Sequence, residues 1–463
     1  MKLRLFARKN VISCPFMKTV IKASCVGILF ITGFYSAVAP IGIFAADTKK
    51  LADAAGLSHQ TNWFDISEHG AVGDGKTLNS NAIQVAIDEC AQSGGGTIVV
   101  PKGIFLSGAL FLKPGVNIEL RAGAVLKGST NINDYLKAIT RIEGHFEPWR
   151  AALLNGDKVD HLRITGSGVL DGNGASYWQE FYRRQTINPK TTNLNVERPR
   201  LALIQNSKDV QIIGVTFKDS GFWNLHLYRC HEVLVENCSF RALHGKKPDN
   251  APSSDGIDVD SSQDITISKC FFSVGDDCIA LKGSKGPFAM QDKDSPPVER
   301  IHIRDSRFEA GGGIVTFGSE ATIVRDVDVE RCTTTGPTVL RIKLRPDTQQ
   351  LYENIHLSDI TMNDGNMILN VSPWRQYFNL QGQLPPKSVV RNVSVSRVKG
   401  SGSSFGIING TADTEFGDIV MTNVDVRLKA TKVEISEAKG LHLNFENVLV
   451  NKELLSVPVT AAN

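Results

Sequence analysis

The chain has no Cys-X-X-Cys pair and no His/Cys cluster at zinc spacing, so it carries no zinc-finger signature. No basic stripe of the kind that follows a phosphate backbone appears, which excludes nucleic acid as the expected partner. After one apolar run near the start there is no second one, which excludes a bundle of membrane-spanning helices. Asn-Gly hairpin turns are scarce between neighbouring strand-like segments, which argues against an antiparallel sandwich. The gaps between those segments also leave no room for the helices of a βαβ fold.

What is present begins with an unusual terminus. Residues 1–46 hold six cations (Lys2, Arg4, Arg8, Lys9, Lys18 and Lys22) and no acid. An apolar run from Ala23 to about Ala39 follows, ending in small residues up to Ala45-Ala46. This order of basic, apolar and small residues reads as a secretory signal over 1–46. The expected mature chain, 47–463, is one domain, exported, monomeric and free of the membrane. Its charge differs from the whole chain's +3: removing six cations leaves 45 against 48 acids, a net of −3. Of eight cysteines, Cys14 and Cys25 fall in the signal. Cys238, Cys270 and Cys332 recur at one repeat position, which predicts buried, stacked small side chains.

That repeat runs through most of the chain. A polar residue followed by two apolar, mostly β-branched residues at alternate positions recurs at Asp209, Glu232, Asp264, Arg300, Asp326, Asn354, Asn392 and Asp418, at intervals of 23 to 38 residues. Units of this size with period-2 strands predict a solenoid, because strands this short need the next unit to cover them. The predicted fold is all-β, a right-handed parallel β-helix with inward Ile, Val, Leu and Phe ladders. Its open end needs a cover. Ile83, Ala86, Ile87 and Cys90 follow i, i+3, i+4, i+7 spacing, which predicts a capping helix from about Asn79 to Ala91, begun by an Asn79 or Ser80 cap and ended by Gly94-Gly95-Gly96. A last strand pair is expected over 441–450, with an irregular tail from Lys452.

Three segments carry charge on strands of this kind: 254–260 (Ser-Asp-Gly-Ile-Asp-Val-Asp), 275–282 (Gly-Asp-Asp-Cys-Ile-Ala-Leu-Lys) and 340–344 (Leu-Arg-Ile-Lys-Leu). An offset of 22 residues lays Asp255 on Asp277, Ile257 on Ile279 and Val259 on Leu281. Side chains alternate between faces, so with Leu340, Ile342 and Leu344 inward, Arg341 and Lys343 point outward together. Asp255, Asp276 and Asp277 sit at strand starts, on coils about 4.8 Å apart. Carboxylates that close repel, so one should hold a proton near neutral pH. A protonated carboxyl beside an ionised one is an acid/base pair suited to glycosidic cleavage, and nearby cations suit an acidic sugar.

With these segments on the page, the chain resembles the polygalacturonase-type glycoside hydrolases, family 28, from about Phe64 to the final strands. The resemblance rests on Ser254-Asp255-Gly256-Ile257-Asp258, Gly275-Asp276-Asp277 and Arg341-Ile342-Lys343, with Gly70-Ala71-Val72-Gly73-Asp74-Gly75 and Phe222-Trp223-Asn224-Leu225-His226 in support. It implies a pectic poly- or oligosaccharide substrate and no cofactor or metal. It implies that Asp276 is the general acid, that Asp255 and Asp277 activate water, and that Arg341 and Lys343 bind the substrate carboxylate. Inversion at the anomeric carbon is implied too, although coil spacing alone sits nearer the retaining separation.

Two places depart from the family pattern. The segment before Asp255 is Ser253-Ser254, and the family's Gly-His-Gly reads Gly311-Gly312-Gly313. Gly312 is expected to leave room for a bulkier or branched sugar. His226, outward on the preceding coil, is a candidate substrate-binding residue standing in for the missing imidazole. Lys282 is expected in an ion pair with Asp260, and Trp374 as a sugar platform or a loop anchor. Long loops at 178–200, 241–253 and 284–298 favour exo action. Two other classes share the architecture: a calcium-dependent pectate lyase using the clustered Asp residues, and a noncatalytic carbohydrate-binding β-helix.

Overall fold

The computed structural model describes residues 62–455 except His244 and Lys246; the signal expected over 1–46 lies outside the described residues. The coils are built as the repeat predicts. Ala202–Gln205, Lys208–Ile213 and Thr216–Lys218 form one coil, and Leu225–Tyr228, His231–Glu236 and Ser239–Arg241 the next. Each strand pairs in parallel with its counterpart one coil on, giving a right-handed parallel β-helix. The 22-residue offset is the observed register, Ile257 on Ile279 and Val259 on Leu281.

Like residues stack inside. Phe217, Phe240, Phe272 and Phe308 form a column with ring centroids 4.8, 5.0 and 4.8 Å apart. Cys238, Cys270 and Cys332 are buried at one position as predicted, and all six cysteines among the described residues are free thiols. The repeat's polar residue has a backbone reason. Asp209, Glu232, Asp264, Arg300, Asp326, Asn354 and Asn392 all take positive φ, between 53° and 59°. A left-handed residue turns the chain at the coil corner, and Asn and Asp tolerate that conformation best among residues with a side chain.

The capping helix α1, Ser80–Gln92, buries Ile83, Ala86, Ile87 and Cys90. Asn79 is its N-cap residue, but its side chain makes no cap bond. The Asn79 amide instead accepts from the Val72 N–H and donates to the Val72, Thr77 and Leu106 carbonyls, tying the helix start to the first coil. At the other end the single strand His442–Val450 closes the sheet, and the tail expected to be irregular adds Glu453–Leu454, antiparallel to it.

Two insertions overhang the coils. A hairpin of Lys137–Ile142 and His145–Arg150 forms its own two-stranded sheet. Glu143 (φ 42°) and Gly144 (φ 78°) make its two-residue turn, with the double positive φ that matches strand twist. The segment expected as a loop at 178–200 starts instead inside a helix, α2, Ala175–Ile187, whose buried face is Tyr177, Trp178, Phe181 and Tyr182.

The aromatic column is a direct measure of coil stacking. Phe272→Ala removes a ring packed on both sides and should cost about 3–5 kcal/mol of unfolding free energy. A denaturant midpoint unchanged from wild type would show that the column carries no stability.

Candidate active site

The site is assembled from outward positions on consecutive coils. Strand register lines up His226, Asp258, Ala280, Thr316, Arg341 and Asn370, and beside them Tyr228, Asp260 and Lys282. Ala280 in the first column is small, so longer side chains above and below can reach across it. The parity argument for Arg341 and Lys343 holds: both face outward, and both reach Asp277.

The loops preceding the strands bring the carboxylates together. The Ser254 hydroxyl donates to the Ala251 carbonyl (2.9 Å) and accepts from Gly275 N–H (2.9 Å), joining the loop that carries Asp255 to the one that carries Asp276. No side chain fits at 275, because a Cβ would lie 2.1 Å from the Ala251 oxygen. The Asn224 amide donates to the Asp255 carbonyl (2.9 Å). Arg198, fully buried between the Phe181 and Phe222 rings, donates to the Pro252 carbonyl (2.9 Å).

The carboxylates are held in different states. Asp277 is 1 % exposed and receives Lys343 Nζ at 2.6 Å, the Thr316 hydroxyl at 2.8 Å and Arg341 Nη1 at 3.0 Å. Burial would raise it, but the Lys343 and Arg341 charges prevail and hold it down at about 2. Asp276 is raised by burial and by the charge on Asp277. Asp255 is pushed up to about 7, by burial first and Asp276 next. Asp258, wholly buried, is raised by burial and Asp255, and the cation beside it is Lys282, at 3.4 Å. Lys282 sits in the middle, its Nζ 3.4 Å from Asp255, 3.4 Å from Asp258 and 3.5 Å from Glu320, over the Trp223 ring at 4.7 Å. The partner expected for Lys282, Asp260, is next to it in register but is taken by Arg141 (3.1 Å). One locked, ionised carboxylate beside two that take protons readily can divide acid and base work.

Two cavities meet at this cluster. One, of about 310 Å³, is lined by Asp255, Asp276, Asp277, Lys282, Glu320 and Glu143 among others. The second, of about 420 Å³, is lined by Gly311, Gly312, Arg341 and Asp276. Gly275, Asp276 and Asn250 border both. Trp374 lines the first cavity with Lys343 Nζ 4.6 Å from its ring, so it holds a cation as well as facing the cleft.

One expectation is corrected and another is narrowed. His226 is 0 % exposed and lines neither cavity. Although it faces outward from its coil, the hairpin covers it. Its Nδ1 accepts from Arg200 (2.8 Å), which leaves Nε2–H towards Asp260 (3.4 Å), and burial lowers it to about 4, so it is a neutral structural group. Gly312 does border the second cavity, but the direction its own side chain would take is not free. A Cβ there would lie 2.2 Å from Arg341 Nη1 and 2.4 Å from Asp277 Oδ1, so the guanidinium already occupies it. Glu143 and Glu320 were missed as site residues. Neither lies in a charged repeat position, and both reach the cavity through contacts between segments distant in sequence.

Gly312→Ala should therefore push Arg341 away from Asp277 and lower kcat/KM by about tenfold or more, the scale of one lost charge-assisted hydrogen bond, with an unchanged circular dichroism spectrum. Wild-type kinetics in this variant would show that the Arg341–Asp277 contact is dispensable.

The sequence and the fold lead to the same set of proteins. The sequence model of the glycosyl hydrolases family 28 matches residues 90–445. An exopolygalacturonase of Zea mays is 27% identical over 382 residues, covering 80% of this chain and 84% of that one. A Thermotoga maritima exopolygalacturonase has the same fold, with a TM-score of 0.64 at 24% identity over 83% of this chain and 92% of that one. The family 28 exopolygalacturonase of Yersinia enterocolitica superposes with a TM-score of 0.65 at 22% identity, covering 86% and 79%. With its family's motifs placed on one cleft of a β-helix, the chain belongs to glycosyl hydrolases family 28 and is a glycoside hydrolase.

Proposed function

We propose that this cleft hydrolyses glycosidic bonds of pectic, galacturonide-type chains, with Asp276 as general acid, Asp255 and Asp277 as the groups that orient and deprotonate water, and Arg341 and Lys343 as the site for the sugar carboxylate. The observation that carries the reading is the state of Asp277. Three donors on later coils keep it ionised next to Asp276, whose own carboxyl is raised, so a proton donor and an anion stand side by side. With Oδ1 engaged by Thr316 and Arg341 and Oδ2 by Lys343, Asp277 is suited to orienting a water as a fixed anion and not to attacking carbon. Asp255, raised to about 7, is the member of the pair that takes the proton. That supports direct attack by water with inversion over a covalent glycosyl intermediate. Membership of a hydrolase family sets aside the lyase alternative.

The substrate follows from charge. Lys343 and half-buried Arg341 lie against Trp374, a cationic and aromatic surface suited to a uronate ring. Several relatives bear exopolygalacturonase names. The overhanging hairpin and α2, both outside the coils, support attack at a chain end.

Wild-type protein should release reducing ends from oligogalacturonides, and the first product anomer seen by NMR should be inverted. Asp276→Asn should lose about 10²–10⁴-fold in kcat, the usual worth of general acid catalysis. Retention of configuration, or full activity in the variant, would overturn the mechanism.

The pH profile has a definite sign. Asp255 must be ionised to take a proton, so activity should fall as pH drops through about 7 and Asp255 becomes protonated. Lys282 lowers Asp255, so Lys282→Met should move this acid limb to higher pH. A limb that stays or moves down in a kcat/KM–pH series would exclude Asp255 as the titrating group.

A further inference from the structure

We propose that Glu143, carried on the tip of the hairpin, takes the terminal hydroxyl of the substrate chain and so restricts the cleft to chain ends. This rests on the pectic hydrolase reading of the cleft and names the residue that would make it end-specific.

The hairpin is held rigidly. Arg141 in its first strand is 0 % exposed; its Nε lies 3.1 Å from Asp260 and its Nη2 donates to the Ser284 hydroxyl (3.0 Å). Arg200 donates back to the Arg141 carbonyl (2.6 Å) and to the Thr140 hydroxyl (2.9 Å). Ile142 and Trp149 pack on Phe222 and Trp223 of the coil that precedes Asp255. At the tip, a Cβ on Gly144 would lie 3.0 Å from the Gly283 oxygen and 3.1 Å from Lys285 N, so the turn is seated on the chain just after Lys282.

This seating delivers Glu143 into the first cavity, the one that also holds Asp255, Asp276 and Lys282. Its side chain is more than nine-tenths buried, with Oε2 3.5 Å from Lys285 Nζ. The second cavity, on the other side of Asp276, contains neither Glu143 nor any other hairpin residue. The cleft is therefore asymmetric about its acid: one side is closed by a fixed tip that bears a carboxyl group, and the other is lined by glycines and Arg341.

The chemistry of that carboxyl fits a hydroxyl. Burial raises Glu143 and the neighbouring Glu320 adds to the rise, while Lys285, a hydrogen bond from Asn193 and Lys282 pull the other way. A carboxyl oxygen accepts from a sugar hydroxyl, and Lys285 Nζ, 3.5 Å from Oε2, offsets its charge towards an acidic ring. An interior sugar has no free hydroxyl where the next residue is attached, and that next residue would meet the tip. An end sugar satisfies both demands.

Binding to Asp276→Asn, measured by calorimetry, separates recognition from cleavage. The probes are a tetragalacturonide and the same oligomer methylated on the terminal hydroxyl that carries the next sugar within a chain. The methylated probe should bind about tenfold more weakly to Asp276→Asn, the scale of one lost hydrogen bond, and equally well to Asp276→Asn/Glu143→Ala. In the otherwise active enzyme, Glu143→Ala should raise KM for the tetramer about tenfold with kcat within about twofold, and Glu143→Gln should recover part of the loss. On polymer, Glu143→Ala should give mixed product lengths where wild type gives one. Equal binding of both probes to Asp276→Asn, or unchanged KM and product lengths in Glu143→Ala, would overturn the role of Glu143. Failure of wild type to cleave any pectic substrate would overturn the pectic reading of the cleft itself.

Discussion

Parallel coils stacked in register at about 4.8 Å decide which side chains of this protein can meet. Residues 22 to 66 apart in sequence become neighbours only because each coil repeats the path of the one before it. Asp277 receives Thr316 from the next coil and Arg341 and Lys343 from the one after. The interior columns of Phe, Ile and Val hold the register, since a slip of one residue would send them outward and draw the charges in.

The charges show what that rigidity sustains. Asp258 is buried with a shared Lys282 as its ion-pair partner, and Asp255 is raised to about 7. A buried carboxyl raised above its unfolded value subtracts stability at neutral pH, where the unfolded chain would ionise it freely, and ceases to do so in acid. Asp277, held at about 2, behaves oppositely: its contribution is present above the ordinary carboxylate range and is lost as pH falls towards 2. Neighbouring carboxylates of opposite tendency arise from where the cations stand. Lys343 and Arg341 reach Asp277, while Lys282 is shared among Asp255, Asp258 and Glu320. Local cost at a functional cleft, carried by a well-packed scaffold, is a common arrangement in enzymes.

Gly312 and His226 show why single residues mislead without their surroundings. A glycine in place of a larger residue reads as vacant space, yet where its own Cβ would lie the Arg341 guanidinium already stands, even though the glycine borders the second cavity. An outward histidine on a strand reads as accessible, yet the hairpin and Arg200 enclose it. In both cases the neighbour that decides the outcome comes from another coil or from an insertion, and no local pattern contains it.

The period-2 repeat, the 22-residue offset, the capping stripe of α1 and the outward parity of Arg341 and Lys343 could be read from sequence alone, because each follows from strand or helix geometry acting over a few residues. The Asp255, Asp276 and Asp277 cluster was legible for the same reason: it sits at equivalent points of adjacent repeats. Tertiary structure alone decided which carboxylate is ionised, that Lys282 answers to three acids, and that Glu143 reaches the cleft. Those depend on distances and burial between segments that no repeat relates, and electrostatic energy in a buried site changes steeply with both.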